Sequence, residues 1–179
     1  MISKYEGDLL LTPCPTLLVT SKYDKIENVL TVAWAGIASS KPEYITISIN
    51  PKRYSYHLIA QSKKFCINIP DRNLLQQVDY CGSHSGRFTD KFSDCGFSKI
   101  ELADFILIEQ CKFYLLCDVE NEIDLGSHHL FVARVREKYS NSSEEGQIYR
   151  ELQPLVYYRP YYFGIKEKIL GEYGFSAHR

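Results

Sequence analysis

The sequence predicts a mainly β protein, an antiparallel barrel that carries a few short helices. At least six stretches alternate apolar and polar residues and are rich in β-branched side chains, which is typical of half-buried strands. Only two short helical patterns accompany them. Long intervals with little helix favour an antiparallel barrel over alternating β and α units. The 179 residues fit a single domain over positions 1–179.

The clearest strand covers residues 44–49, where isoleucines occupy one face and polar side chains the other. The same alternation predicts five more strands, at residues 16–20, 30–38, 65–69, 111–119 and 130–135. Helices are predicted at 55–61 and 73–80, and Leu74, Leu75 and Val78 of the second share a face. A polar loop at 140–146 precedes an aromatic-rich tail.

Composition excludes several classes of protein. The 21 basic and 22 acidic residues give a net charge of -1, so neither nucleic acid nor an anionic membrane is an expected partner. No segment has a leader pattern or the length of a membrane span, so a cytoplasmic protein is expected. The six cysteines contain no CxxC pair. We expect them to be mostly reduced, with Cys66, Cys111 and Cys117 in the core, and we expect no metal site.

The turn between the strand at 44–49 and the following helix outlines an anion site. Ser55 can cap the helix, and Arg53 can give a charge-assisted bond to a phosphate. A plainly capped helix with a solvated arginine is the alternative. Upstream, residues 28–42 form a strand on which Thr31 and Ala33 face away from Val32 and Trp34. That face either leaves room for a flat ligand or is simply exposed to solvent.

Two further segments contain residues that are candidates for a chemical role. Gly82 and Gly86 allow close backbone approach, although the segment is neither a Walker loop nor a GxGxxG motif. Cys81 and His84 lack the partners that a zinc site or a nucleophile–base pair needs. A tight turn brings His128 to the start of a strand, where it is an ordinary half-exposed residue or a group that guides a nicotinamide or donates a proton.

Taken in order, these motifs resemble the flavin-reductase-like, FMN-binding split-barrel family, which includes flavoredoxins. The matching positions are Asn28, Thr31, Ala33, Trp34, Ser39, Ser40, Pro42, Arg53, Ser55, Tyr56, Asn68, Ile69, Pro70, Tyr80, Cys81, Gly82, Ser85, Gly86, Arg87, Asp90, Lys91 and Phe92. The tail adds Pro154, Leu155, Val156, Tyr157, Gly171, Gly174, Phe175 and Ser176. The resemblance runs from about Asp8 to Ser176 and implies a six-stranded Greek-key split barrel. It also implies a homodimer with one non-covalent FMN per subunit near the interface.

The resemblance assigns cofactor-binding residues position by position. The phosphate end is assigned to Arg53, Ser55 and Tyr56. The ribityl chain and isoalloxazine are assigned to Asn28, Thr31, Ala33, Trp34, Ser39 and Ser40. Further contacts to the ring or the phosphate are assigned to Asn68, Cys81, Gly82, Ser85, Gly86 and Lys91.

The resemblance implies that the flavin carries the redox chemistry and leaves its electron donor open. Gly126-Ser127-His128 is similar to the Gly-Asp-His motif through which related reductases meet a nicotinamide, and it makes His128 the candidate catalytic residue. Ser127 replaces the acid of that motif. The first hypothesis is a flavin reductase that takes hydride from NADH or NADPH, and the second is a flavoredoxin-like electron carrier that serves protein partners. A third is an FMN protein whose ligand is structural or whose substrate has changed.

Overall fold

The computed structural model describes residues 4, 9, 11–141, 152–158 and 160–164. The strands, in chain order, are β1 (Cys14–Pro15), β2 (Leu17–Tyr23), β3 (Ile26–Val32), β4 (Ala35–Ser40), β5 (Glu43–Ile49), β6 (Lys64–Ile69), β7 (Lys99–Leu102), β8 (Phe105–Ile108), β9 (Phe113–Asp124), β10 (His129–Ser140), β11 (Leu155–Tyr158) and β12 (Tyr161–Gly164). The α-helices are α1 (Tyr54–Ser62), α2 (Leu75–Ser83) and α3 (Lys91–Asp94), and a 3₁₀ turn at Arg72–Leu74 precedes α2.

One antiparallel sheet of seven strands dominates these residues, in the order β3-β2-β6-β9-β10-β5-β4. Its two end strands, β3 and β4, are separated in the chain by only Ala33 and Trp34, so the sheet closes on itself. At this junction the Ser48 amide of β5 donates to the Trp34 carbonyl at 2.8 Å. The enclosed face is apolar and fully buried at its centre, where Val19, Ile47 and Phe131 meet. Ile59 of α1 closes this core. The predicted mainly β, antiparallel barrel is confirmed.

A second apolar layer covers the outer face of β2, β3 and β6. Leu18 and Val29 of the sheet pack there with Val78 of α2, Phe92 of α3 and Ile106 of β8. Alternate residues of β2 and β3 therefore serve two different cores. This arrangement fixes α2 and α3 against β3, which is the strand that matters for the site below.

The predicted strand at 30–38 is interrupted in the structure. The Ala35 amide donates to the Ala33 carbonyl at 3.1 Å, and this turn separates β3 from β4. Before the turn, Val32 pairs with Leu17 of β2, and after it Ala35 pairs with Ile47 of β5. The main sheet therefore has seven strands where six were expected. Apolar alternation continues through the turn, which is why the sequence pattern did not reveal it.

The remaining predicted elements are confirmed with small corrections. α1 begins one residue earlier than expected, with Arg53 and not Ser55 at the N-cap. In the helix predicted at 73–80, Leu74 and Val78 are buried, whereas Leu75 is 41% exposed. The hairpins β7–β8 and β11–β12 were not predicted, since strands of four residues carry little alternation.

Several expectations concern the chain termini and the cysteines. Residues 142–146 of the predicted polar loop, and Gly171, Gly174, Phe175 and Ser176 of the tail motif, lie outside the described residues. All six cysteines are free, and the expected core positions of Cys66, Cys111 and Cys117 are confirmed by their burial.

None of the helices in the described residues has the length and apolarity that crossing a bilayer requires.

Candidate functional site

Arg53 lies at the centre of an elongated cleft that follows β3. It lines a small cavity of about 80 Å³ and two wider ones of about 330 and 350 Å³. Thr31 and Ala33 line both wider cavities. Because Arg53 lines all three cavities, they form one continuous cleft with a narrow end and a wide end.

The narrow end has the composition of an anion site. Its lining consists of Asn28, Leu30, Lys52, Arg53, Tyr54, His84, Ser85, Gly86 and Lys91. Three of these side chains are cationic, and no Asp or Glu among the described residues is in this lining. Arg53 also lies at the N-cap of α1, where free amides and the helix dipole favour negative charge. The cavity therefore suits a small polyanionic group such as a phosphate.

Lys91 is a buried cation at this end. Only 2% of it is exposed, and its Nζ donates to the carbonyls of Val29, at 2.9 Å, and Cys81, at 2.7 Å. Burial, together with a smaller effect of the nearby Arg53 charge, lowers the pKa of Lys91 to about 8. Within the described ranges, neither Lys91 nor Arg53 pairs with a carboxylate, since their side chains donate to backbone carbonyls. The Arg53 Nη1 donates to the Gly82 carbonyl at 3.2 Å. Two neighbouring cations without an anion between them favour the binding of one.

Asn28 and Gly86 hold the wall of the narrow end together. The Asn28 Nδ2 donates to the Ser55 Oγ at 2.8 Å, and both residues are buried. A Cβ at Gly86 would stand 2.1 Å from the Asn28 Oδ1, so only glycine lets the segment after α2 lie directly on β3. The Ser55 hydroxyl does not cap α1, contrary to the expectation, because it is held by Asn28.

The wide end is more open and carries the aromatic groups. Trp34 is 52% exposed, and its ring centroid lies 4.6 Å from that of His128. The turn holds His128 there: the Leu125 amide donates to the His128 carbonyl at 3.0 Å, and Gly126 has a φ of +84°. Ser127 Oγ is 3.0 Å from His128 Nδ1. The predicted catalytic histidine thus faces the same cleft as Arg53.

The other wide cavity is walled by α2 and by the tail hairpin. The Thr31 Oγ1 donates to the Val78 carbonyl at 2.5 Å, and a Cβ at Gly82 would lie 3.3 Å from the Thr31 Cβ. Gly82 therefore allows α2 to approach β3 closely. Tyr157 and Tyr162, with ring centroids 5.3 Å apart, form the facing wall.

Sequence reasoning missed several lining residues. These are Ser48, Asn50, Lys52, His84, Tyr157 and Tyr162. Lys52 precedes Arg53 in the chain, so the assignment of Arg53 to the anion site could have pointed to Lys52 as well. The tyrosines come from a strand pair far along the chain. Tyr157 belongs to the tail motif of the resemblance but was given no role, and only its aromatic-rich surroundings pointed to Tyr162.

Five predicted residues take other positions. Asn68 is fully buried, where its Nδ2 donates to the Leu18 carbonyl at 3.2 Å and its Oδ1 accepts from the Ile108 amide at 2.7 Å. Ser39 and Ser40 line a separate apolar groove of about 520 Å³ along β4 and β5. Asn68 therefore has a structural role in joining strands, and the serines face a different surface from Arg53.

Tyr56 and Cys81 are the other departures. The Tyr56 hydroxyl donates to the Glu122 Oε1 at 2.7 Å, and this bond raises the pKa of Tyr56 to about 12. Its ring packs edge-on against His129, away from the linings that contain Arg53. Cys81 is fully buried and contributes its carbonyl to Lys91, so it supports the wall from behind.

Comparison with known proteins adds an independent line of argument. A family model described as "Flavin reductase like domain" matches residues 9–166. An uncharacterized protein of Pyrococcus abyssi (strain GE5 / Orsay) is 30% identical over 132 residues, which are 73% of this chain and 76% of the relative. The flavoredoxin from Methanosarcina acetivorans has a TM-score of 0.89 at 21% identity, with 99% of each chain covered. An FMN-binding protein from Thermus thermophilus, with bound 1-cyclohex-2-enone, has a TM-score of 0.83 at 22% identity and covers 96% of this chain and 99% of its own.

Proposed function

Because the chain belongs to the flavin reductase-like domain family, we propose that it is an FMN-binding oxidoreductase that holds the FMN phosphate in the narrow end of its cleft. One observation carries this proposal: Lys52, Arg53 and Lys91 meet in a small cavity whose described lining contains no carboxylate. Such a cavity is unfavourable when empty of negative charge and complementary to a phosphate dianion.

The residues of the cleft fit the rest of an FMN molecule as well. Arg53 would pair with the phosphate, and Ser85 and Gly86 would offer their hydroxyl and backbone groups beside it. Thr31 and Ala33 would line the path of the ribityl chain towards the wide end. When bound, FMN supplies a ring that accepts and donates electrons and hydride. The protein would position that ring at the wide end of the cleft.

The proposed reaction is that of a flavin reductase, with NADH or NADPH as hydride donor. The support is His128, which lies beside Trp34 at the open end, where a second planar molecule has access. His128 would orient the nicotinamide by a hydrogen bond. The second candidate is a flavoredoxin-like electron carrier, and Ser127 favours it because related reductases have an acid at that position.

The experiment is an absorbance spectrum of the purified protein reconstituted with FMN, recorded before and after anaerobic addition of NADH or NADPH. Bound flavin that bleaches with either nucleotide supports the reductase. Bound flavin that bleaches only with dithionite or a reduced protein partner favours the carrier. A protein that neither retains FMN nor quenches its fluorescence would refute the FMN proposal.

We also propose a homodimer, in which a second copy covers the apolar groove along β4 and β5. The support is its lining of Leu17, Ile45, Ile67 and Leu115 beside Ile37, which is 82% exposed. An exposed apolar surface of this kind is typical of an interface. Light scattering should give a dimer for the wild type and a monomer for Ile37→Glu. A wild-type monomer at micromolar concentration would contradict this.

A further inference from the structure

Two cysteines lie side by side behind the narrow end of the cleft. The Sγ atoms of Cys81, near the end of α2, and Cys95, directly after α3, are 3.8 Å apart. Cys81 is fully buried, whereas Cys95 is half-buried and reachable from solvent. In the described residues, Cys66, Cys111 and Cys117 are all buried. Cys14 lies in β1, far from this pair in sequence.

We propose that Cys81 and Cys95 form a reversible disulfide that fixes the segment between them. An S–S bond is about 2.05 Å long, so the two sulfur atoms need to approach by less than about 2 Å. Cys95 follows a four-residue helix and precedes Gly96, which has a φ of +64°, so small adjustments there can supply this movement. The fold already holds the two thiols in contact.

The exchange balances with a small-molecule disulfide as oxidant. The Cys95 thiolate attacks one sulfur of that disulfide, forms a mixed disulfide and releases one thiolate, which takes up a proton. The Cys81 thiolate then attacks the Cys95 sulfur, closes the internal bond and releases the second thiolate. The two protein thiols lose two electrons and two protons, and the oxidant becomes two thiols.

The surroundings of the pair make this exchange selective. Burial raises the pKa of both thiols, and the Lys91 charge opposes that rise. Cys95 is therefore the point of entry because it is accessible, and Cys81 is the resolving thiol because it is adjacent. Isolated Cys14 has no such neighbour in the described residues and should stop at the mixed disulfide.

The consequence for the cofactor depends on the proposed function. The residues between the two cysteines include Gly82, Ser85, Gly86 and Lys91, which form one wall of the cleft. A disulfide between Cys81 and Cys95 restricts the motion of the segment between them. The oxidised protein should therefore release FMN more slowly than the reduced protein. We expect the FMN dissociation rate constant to fall at least threefold.

The test oxidises the full-length protein with glutathione disulfide, alkylates the remaining thiols under denaturing conditions, and digests with trypsin. Arg87 and Lys91 lie between the two cysteines, so their peptides are joined only by a disulfide. A joined 81–95 peptide that separates on reduction supports the proposal. A persistent glutathione adduct on Cys95, alkylation of both residues, or a bond to Cys111 overturns it.

Variants separate this inference from the FMN proposal. Cys95→Ser should abolish the joined peptide, and Cys14→Ser should leave it unchanged; Cys81→Ala repeats the test if Cys95→Ser fails to fold. The peptide result needs no flavin, so it stands or falls independently of FMN binding. If the disulfide forms and FMN dissociation is the same in both redox states, the fixing role is refuted.

Discussion

The two ends of the cleft along β3 are built in opposite ways. At the narrow end, Asn28 and Lys91 are at least 97% buried and use their polar atoms within the protein. At the wide end, Trp34 is 52% exposed, and its ring contacts that of His128, which lies on a turn. The narrow end is preorganised for one charged group, while the wide end leaves space and access for a second molecule.

This difference separates binding from turnover. Preorganised donors stabilise a ligand because little order is lost when it binds. An open aromatic surface admits and releases a substrate, and its contribution is to orientation. Changes at the narrow end should therefore alter FMN affinity, and changes at the wide end should alter the rate of flavin reduction.

Gly86→Ala should have the largest effect and would break the narrow end itself. The new Cβ would stand 2.1 Å from the Asn28 Oδ1, and Asn28 is held by Ser55, so the segment after α2 must move away from β3. We expect a loss of about 1–3 kcal/mol in the free energy of unfolding, by urea denaturation, together with loss of FMN binding.

Gly36→Ala on β4 is the matched control. Its Cβ would meet only the Thr46 Oγ1, at the ordinary contact distance of 3.8 Å. FMN affinity should stay unchanged in this variant. Equal stability and equal FMN affinity in Gly86→Ala would show that the Asn28 contact does not shape the cavity.

Arg53→Ala should give the next largest effect, confined to the cofactor. A charge-assisted bond to phosphate contributes about 1.5–3 kcal/mol, which corresponds to a roughly ten- to hundredfold rise in the FMN dissociation constant, measured by fluorescence quenching. Arg53 is exposed and its described contact is one carbonyl, so the melting temperature should change little. Arg134→Ala, on the exposed face of β10 and outside the linings of the cleft, is the control, and a similar loss of affinity there would contradict the specific role of Arg53.

Local patterns predicted much of this architecture. Alternation identified the strands of the main sheet, although it joined β3 and β4 into one, and the strand–turn–helix unit identified Arg53 beside Ser55. The order of the motifs along the chain brought Asn28, Gly86 and His128 into one candidate site. The strands and the Arg53–Ser55 unit depend on neighbours in sequence, so a pattern of a few residues can reveal them. Asn28, Gly86 and His128 are far apart in sequence, and only the resemblance of the whole motif order to a known family linked them.

Other features depended on contacts that no local pattern contains. Asn68 has the polar character of a ligand contact, but β2 and β8 satisfy its side chain. Likewise, the Tyr56 hydroxyl donates a hydrogen bond to Glu122 of β9. Tyr162 reaches the cleft only because the tail hairpin folds back against β1. Such outcomes are decided by tertiary packing, which overrides residue character.

The pH dependence of FMN binding tests the buried cation. In the free protein, Lys91 has a pKa of about 8, so it loses its charge above that pH, while the FMN phosphate stays a dianion. A phosphate favours the charged lysine, so binding takes up a proton where Lys91 is neutral. The FMN dissociation constant should therefore rise about tenfold from pH 7 to pH 9, in fluorescence titrations.

Lys91→Gln is the variant that assigns this pH dependence, because an amide can still donate to the two carbonyls but does not titrate. We expect it to bind FMN more weakly at pH 7 and with a flat profile up to pH 9. Circular dichroism checks its fold. A pH profile that persists in this variant would assign the effect to another group.

His128→Ala should have the smallest effect on affinity and should isolate the wide end. His128 does not line the narrow cavity, so the FMN dissociation constant should change less than about twofold. Reduction of bound FMN by NADH or NADPH, followed by anaerobic stopped flow, should slow several-fold if His128 orients the nicotinamide. Ser127→Asp is the complementary variant, since a carboxylate beside the His128 Nδ1 would hold the ring in one tautomer and should speed the same step. Unchanged reduction rates in both variants would remove the nicotinamide from the wide end and favour a protein electron donor.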